Sequence, residues 1–205
     1  MPGRIFLTRR PVDLAADVAV PLPERVDWLP RRNIAPGQEV VVLAADGLRM
    51  MRWGMIPVGR VNARGRPVLE TIVNARSETL FDKSAFSGTG RGVLLADGWY
   101  EWTGPKRRKQ AWRIKPRDGG LLGFAAIIDT WTAPGGTQVR QVAVVTCAPN
   151  ADVVDVHDRM GVILSARDWA AWLSASDAEA KRLLQIPPAG LLLIEPAEDV
   201  DWSAP

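Results

Sequence analysis

The chain is poor in the residues that most often carry chemistry. Among 205 residues it has one cysteine, Cys147, one histidine, His157, and one tyrosine. A single cysteine excludes an internal disulfide. One Cys and one His cannot make a closed Cys/His zinc site, so no metal is expected, and no cofactor. A Ser-His-Asp triad would have to use His157. No apolar run approaches the ~18–20 residues of a membrane span. The start Met1-Pro2-Gly3-Arg4 lacks the apolar stretch of a secretory signal. The expectation is a cytoplasmic, monomeric protein without a membrane partner. Long linkers, low-complexity segments and internal repeats are missing too, which favours one domain over residues 1–205.

Acidic residues are scarce in the first part of the chain. Residues 1–120 carry 21 basic and 12 acidic side chains, and residues 121–205 carry 5 and 11. Arginine supplies 21 of the 26 basic residues. A guanidinium fork suits phosphate, so a basic half points to a polyanionic partner. The competing reading is a solvated basic face, or arginine pairing with the acidic half of the same fold. The nine tryptophans are expected mostly in the core.

Gly (18) and Pro (16) are scattered as turn punctuation, which favours many short β elements. Residues 38–53 read as a hairpin turning at Asp46-Gly47. Further strands are expected at 68–74, 92–96, 98–102, 111–115, 121–128, 139–146, 161–164 and 190–195. Helices are expected at 11–19, at 150–156 from Asn150, at 165–174 from Ser165, and at 176–185. The sum is an α+β fold with a mixed or antiparallel, barrel-like sheet core and short peripheral helices.

Four segments combine polar groups with a strand or turn. In Val73-Asn74-Ala75-Arg76-Ser77-Glu78-Thr79, an extended chain projects Asn74 and Arg76 to one face. The alternative there is a strand end with Ser77 capping a short helix. In Asp97-Gly98-Trp99-Tyr100-Glu101-Trp102, Trp99 and Glu101 share one face and Tyr100 and Trp102 the other. A carboxyl among aromatics is desolvated and titrates nearer neutrality, as a general acid or base must; the alternative is an edge-strand Glu reaching solvent. In Val156-His157-Asp158-Arg159, His157 is a proton-transfer candidate flanked by charge. At the N-terminus, removal of Met1 would leave Pro2 with a secondary amine able to attack an aldehyde. The plain alternative is a start codon followed by a proline.

Seven stretches in order, M-x-G-R-I-F (1–6), R-N-I-A-P-G (32–37), W-G-M-I-P (53–57), V-N-A-R-S-E-T (73–79), A-D-G-W-Y-E-W (96–102), F-A-A-I (124–127) and V-D-V-H-D-R-M (154–160), resemble the SOS response-associated peptidase (SRAP) family. The resemblance implies action on abasic sites in single-stranded DNA through a covalent DNA–protein link, as part of a response to DNA damage. It implies that position 2 is the nucleophile, normally cysteine, and here Pro2. It implies that Asn74 places the nucleophile and opened sugar, that Glu101 is an acid/base group, and that His157 assists ring opening. Arg4, Asn33, Arg76 and Arg159 match polar positions of the same cleft, where DNA contact is implied. The aromatic wedge that many members carry after W-G-x-x-P is replaced by Val58-Gly59-Arg60.

Proline changes the implied chemistry. An N-terminal cysteine condenses with the aldehyde and closes a stable thiazolidine with its thiol. Pro2 stops at a cationic iminium, which water reverses or which a base such as Glu101 converts, through loss of a sugar C–H proton, to strand cleavage by β-elimination (lyase activity). Cys147 ends an apolar strand and reads as a buried small hydrophobe. The alternatives are a non-covalent single-stranded-DNA-binding relic, a replaced nucleophile in a ring-forming parent, and a peptidase. The last lacks a Ser or Cys nucleophile at recognisable spacing from His157.

Overall fold

A computed structural model describes residues 2–23, 28–56, 71–133 and 135–204. In chain order the elements are β1 (Ile5–Leu7), α1 (Pro11–Asp17), β2 (Arg31–Ile34), β3 (Glu39–Ala44), β4 (Gly47–Trp53) and β5 (Asn74–Arg76). Then come β6 (Gly90–Ala96), β7 (Gly98–Thr103), β8 (Gln110–Pro116), β9 (Leu122–Thr132) and β10 (Gln138–Cys147). The chain ends with β11 (Met160–Gly161), β12 (Ile163–Leu164), α2 (Trp169–Ser174), α3 (Asp177–Leu183) and β13 (Leu192–Pro196).

Five strands close a barrel in the cyclic order β10-β4-β3-β6-β9, because β9 and β10 also pair with each other. Only the β10–β4 contact in this ring is parallel. Val142, Ala143, Val144 and Val145 of β10 are fully buried, as a β-branched run inside a closed sheet should be. A second, antiparallel sheet runs β13-β8-β7-β1-β2. The two sheets are stitched where β6 passes through Asp97 into β7. The Asp97 carboxylate accepts from the Thr8 N–H (2.6 Å), the Thr8 hydroxyl (2.7 Å) and Arg9 Nε (2.8 Å). One apolar cluster draws on both sheets and on α1, α2 and α3. Trp28, Trp53, Trp99, Trp169 and Trp172 lie in it, so most of the tryptophans are core.

The hairpin at 38–53 forms, but it turns one residue early. Ala44 pairs with Gly47, so Ala45-Asp46 make the turn and Gly47 opens the return strand. Of the expected strand at 68–74, residues 68–70 lie outside the described residues. Ile72 bridges Met55, and the strand proper begins at Asn74. Residues 151–156 are a run of turns rather than a helix. Val153, Val154 and Val156 disfavour one. The backbone makes only isolated turn bonds (Val154 N–H to the Asn150 carbonyl, His157 N–H to the Val153 carbonyl), while Asn150 Nδ2 donates to the Pro188 carbonyl (3.0 Å) and the Asp152 carboxylate accepts from the Gly190 and Leu192 N–H groups. The helix expected at 165–174 splits into a 3-10 turn over Ala166–Asp168 and α2. Ser176 caps α3 in a full capping box with Glu179.

Gly98 stands where the sheets meet. A Cβ there would lie 2.3 Å from the Ile114 carbonyl oxygen and 2.5 Å from Phe6 Cζ. Gly98→Ala is therefore expected to destabilise by about 1–3 kcal/mol, measured as a lowered urea midpoint with unchanged slope. An unchanged midpoint would show that β1 and β7 are not packed this closely.

Candidate active site

The site lies at the C-terminal end of β10, beyond the barrel ring. There β10 pairs with β5 on one edge (Val144↔Asn74, Thr146↔Arg76) and with β11 (Thr146↔Gly161, Cys147↔Met160). The N-terminal strand reaches this place by register. Ile5 pairs with Trp99 and Phe6 with Gly98, and the Tyr100 N–H donates to the Arg4 carbonyl at 2.9 Å. Continuing that antiparallel register leads the first residues along β7 toward Glu101 and Trp102. Pro2 is buried, and Asn74 Nδ2 donates to its carbonyl at 3.1 Å. A Cβ on Gly161 would meet the Phe124 ring at 2.5 Å and Pro2 Cγ at 3.4 Å. The missing side chain of Gly161 is what lets this floor form.

The faces of β7 divide as the alternation requires. Trp99 joins the main core, whereas Tyr100 and Trp102 pack in a second cluster with Phe6 and Trp202. Glu101 is 4% exposed on an inner strand, so it is not an edge residue reaching solvent. Burial pushes its carboxyl up to about 7, and the nearby Asp158 carboxylate adds to the rise. His157 Nε2 lies 3.9 Å from Glu101 Oε2. That is too long for a hydrogen bond and leaves room for a reacting atom to be shared between them. Burial lowers the His157 pKa below its ordinary value, so the ring is neutral at pH 7. The Arg159 N–H donates to His157 Nδ1 at 3.0 Å, which puts the neutral ring's proton on Nε2, facing Glu101. Asp158 Oδ1, 2.8 Å from Nδ1, is placed to stabilise the ring when it charges.

The remaining residues divide. Arg76 is exposed on the opposite side of β5 from buried Ala75. Ser77 opens a 3-10 turn, Ser77–Thr79, without capping it through its side chain. Arg159 is engaged within the protein by a two-pronged pair with Glu78 (2.5 and 2.9 Å) and a bond to the Thr146 carbonyl (2.7 Å). The same pair holds Glu78 at about 2. The described hydrogen bonds of Asn33 go to Arg4 and the C-terminal residues and not to Pro2, Asn74, Glu101 or His157. Asn33 is 4% exposed, accepts from Arg4 Nη1 at 2.5 Å, and donates to the Asp201 and Ala204 carbonyls. Its amide is engaged in anchoring the end of the chain. Cys147 is buried and free, its thiol pushed up to about 11 by burial, in keeping with an inert apolar role. Val58, Gly59 and Arg60 lie outside the described residues. Sequence reasoning missed Glu78 as the partner of Arg159, although it sits two residues after Arg76 in the V-N-A-R-S-E-T stretch. It also missed Gly161, for which no sequence signal separates a tight floor from a turn. Among the described residues no three His, Cys, Asp or Glu side chains gather to hold a metal. Nor is any helix among them long and apolar enough to cross a membrane.

The profile of the family described as SOS response associated peptidase (SRAP) matches residues 1–199. The chain belongs to the SRAP family. It is 34% identical to the Bacillus subtilis abasic site processing protein YoqW over 167 residues, covering 77% of this chain and 72% of that one. It is 29% identical to the Escherichia coli abasic site processing protein YedK over 196 residues, covering 92% of this chain and 83% of the relative. A crystal structure of a Bacteroides thetaiotaomicron protein superposes with a TM-score of 0.80 at 19% identity, over 96% of this chain and 92% of that one, so the fold is shared.

Glu101 gives this SRAP chain a pH signature. Its pKa is near 7 when folded and 4.5 when free. A raised pKa means stability that is full below 4.5 and falls as pH rises through 7, by about 3 kcal/mol for a group this buried. Glu101→Gln removes the buried charge. It is expected to gain on the parent between pH 5 and pH 8 in denaturant titrations. A difference that stays constant over that range would mean Glu101 is not desolvated.

Proposed function

We propose that this protein processes abasic sites in single-stranded DNA and that the secondary amine of Pro2, freed by loss of Met1, is its nucleophile. The observation that carries the reading is the convergence of Pro2, Asn74, Glu101 and His157 at one end of β10. The names of the SRAP relatives point the same way. Arg4 and Arg76 contribute positive charge beside the cleft for phosphate contact.

The steps follow from the protonation states. The open abasic sugar is an aldehyde at C1′. The imidazolium form of His157, stabilised by Asp158, gives its Nε2 proton to the ring oxygen as the sugar opens and regains one from the C1′ hydroxyl, which becomes the aldehyde oxygen. The Pro2 nitrogen lone pair adds to C1′, giving a carbinolamine after proton transfer. Protonated Glu101 donates to the carbinolamine hydroxyl; water leaves, and an iminium and a Glu101 carboxylate remain. A carboxyl poised at about 7 can give and then take a proton at neutral pH. The Glu101 carboxylate then removes a C2′ proton, that electron pair forms an enamine, and the C3′–O bond breaks with departure of the 3′ phosphate. Alternatively water adds back to C1′ and the amine is released. With no thiol at position 2, no ring closes, so the adduct is transient. Asn74 Oδ1 is buried and accepts no hydrogen bond from any described residue, which leaves an acceptor for the sugar hydroxyl or the attacking N–H.

The test is a denaturing gel of the protein, with Met1 shown absent by mass, against a single-stranded oligonucleotide bearing one abasic site. A band that appears only with borohydride is expected, and Glu101→Gln is expected to slow its formation by about 100-fold or more. Pro2→Cys is expected to give a heat-stable band without reductant. A binding-competent protein that yields no adduct in either form would overturn the amine mechanism and favour a non-covalent DNA-binding role.

A further inference from the structure

Residues 104–109 form the tip of the β7–β8 hairpin, where Lys106, Arg107, Arg108 and Lys109 stand in unbroken succession, all exposed. Several of the molecule's arginines are neutralised internally. Arg9, Arg49, Arg91 and Arg113 each meet a carboxylate within 2.9 Å. Arg91 and Arg113, from the basic half, pair with Asp177, Glu195 and Asp199 of the acidic half. What sets the tip apart is four cations in succession, none paired with a described carboxylate within 4 Å. Four adjacent like charges repel one another, and a fold that keeps them together without a counter-charge presents a strong local field.

Their placement gives that field a direction. The hairpin is firm at its base: Thr103 pairs with Gln110, and Trp112 Nε1 donates to Thr103 Oγ1 at 2.8 Å. At about 3.3 Å per residue, Thr103 lies only ~7 Å along the strand from Glu101. Because β1 runs antiparallel to β7, the chain from Ile5 back to Pro2 heads toward this same tip. The cations thus project beyond the site on the strand that carries its acid/base group.

We propose that the 106–109 tip is a second phosphate-binding element, gripping the backbone of the substrate strand a few nucleotides from the reactive sugar. The proposal rests on the reading that the substrate is DNA. Lysine and arginine on a short loop contact phosphates without reading bases, so the tip adds affinity and register rather than sequence preference.

Binding of an undamaged single-stranded oligonucleotide, measured by fluorescence anisotropy across a salt series, tests it without requiring any chemistry. The variant carries Lys106→Ser, Arg107→Ser, Arg108→Ser and Lys109→Ser. Its control carries Lys181→Ser and Arg182→Ser on α3. For the tip variant the slope of log affinity against log salt is expected to become shallower by about 0.7 for each phosphate no longer engaged, so by roughly 1.5–3 in all. The control is expected to keep the parental slope. Near-unchanged melting of the tip variant, and retained borohydride trapping on a very short oligonucleotide, would show that the fold and chemistry survive. Parental slope and affinity in the tip variant would overturn the proposal, as would equal losses in tip variant and control, or a parent that does not bind DNA and takes an acidic protein instead. A tip-dependent slope in a protein that never forms an adduct would leave the proposal standing and refute the nucleophile. An adduct with a tip-independent slope would do the reverse.

Discussion

Two backbone pairings, Ile5 with Trp99 and Phe6 with Gly98, decide where the beginning of the chain lies. Everything at the site depends on that register. Antiparallel pairing fixes position to within one residue and fixes the face as well, since a slip by one would exchange the two sides of the strand. Gly98 allows the approach, Asp97 locks the neighbouring residues Thr8 and Arg9 to the turn between β6 and β7, and Asn74 holds the Pro2 carbonyl. A terminus that would ordinarily fray is held by three separate elements.

Around that fixed terminus, burial is the largest influence on the titrating groups. Glu101 and His157 are the two titratable groups nearest the cleft floor, and desolvation moves them in opposite senses, the acid upward and the base downward. Around pH 7 His157 is therefore mostly neutral and Glu101 about half protonated, which makes their 3.9 Å separation a gap across which a proton can be handed on. The ion pair of Glu78 with Arg159 lies to one side. It fixes the backbone amide that sets the imidazole tautomer.

Much of this was legible in the sequence because it is local. The alternation in Trp99-Tyr100-Glu101-Trp102 correctly divided the strand's two faces, and the charge order along residues 176–185 marked a helix that the structure confirms as α3. The elements that escaped are those whose identity is set by distant partners. β1 and β2 are three and four residues long and become strands only by pairing with each other and with β7. Residues 151–156 had a helical start signal, yet the three valines disfavour a helix and the segment stays a run of turns whose Asn150 and Asp152 side chains reach residues 188–192. The closure of the barrel rests on β9 meeting β10 and on a parallel contact between β10 and β4, neither of which leaves a periodic trace. The site followed the same rule. Asn74, Glu101 and His157 stood out by residue type in context, whereas the glycine that makes room for Pro2 and the carboxylate that restrains Arg159 did not.

The burial of Pro2 has a consequence for timing during synthesis. The strand that shelters it, β7, lies almost a hundred residues downstream. At ribosomal rates of 5–20 residues per second, Trp99 is made roughly 5–20 s after Pro2. For that interval the first residues have no sheet to join and are open to any enzyme acting on nascent chains. Once β1 docks, Pro2 is buried in the fold. For the amine proposed as nucleophile to be freed, the trimming that exposes it belongs to that interval, before the sheet is complete.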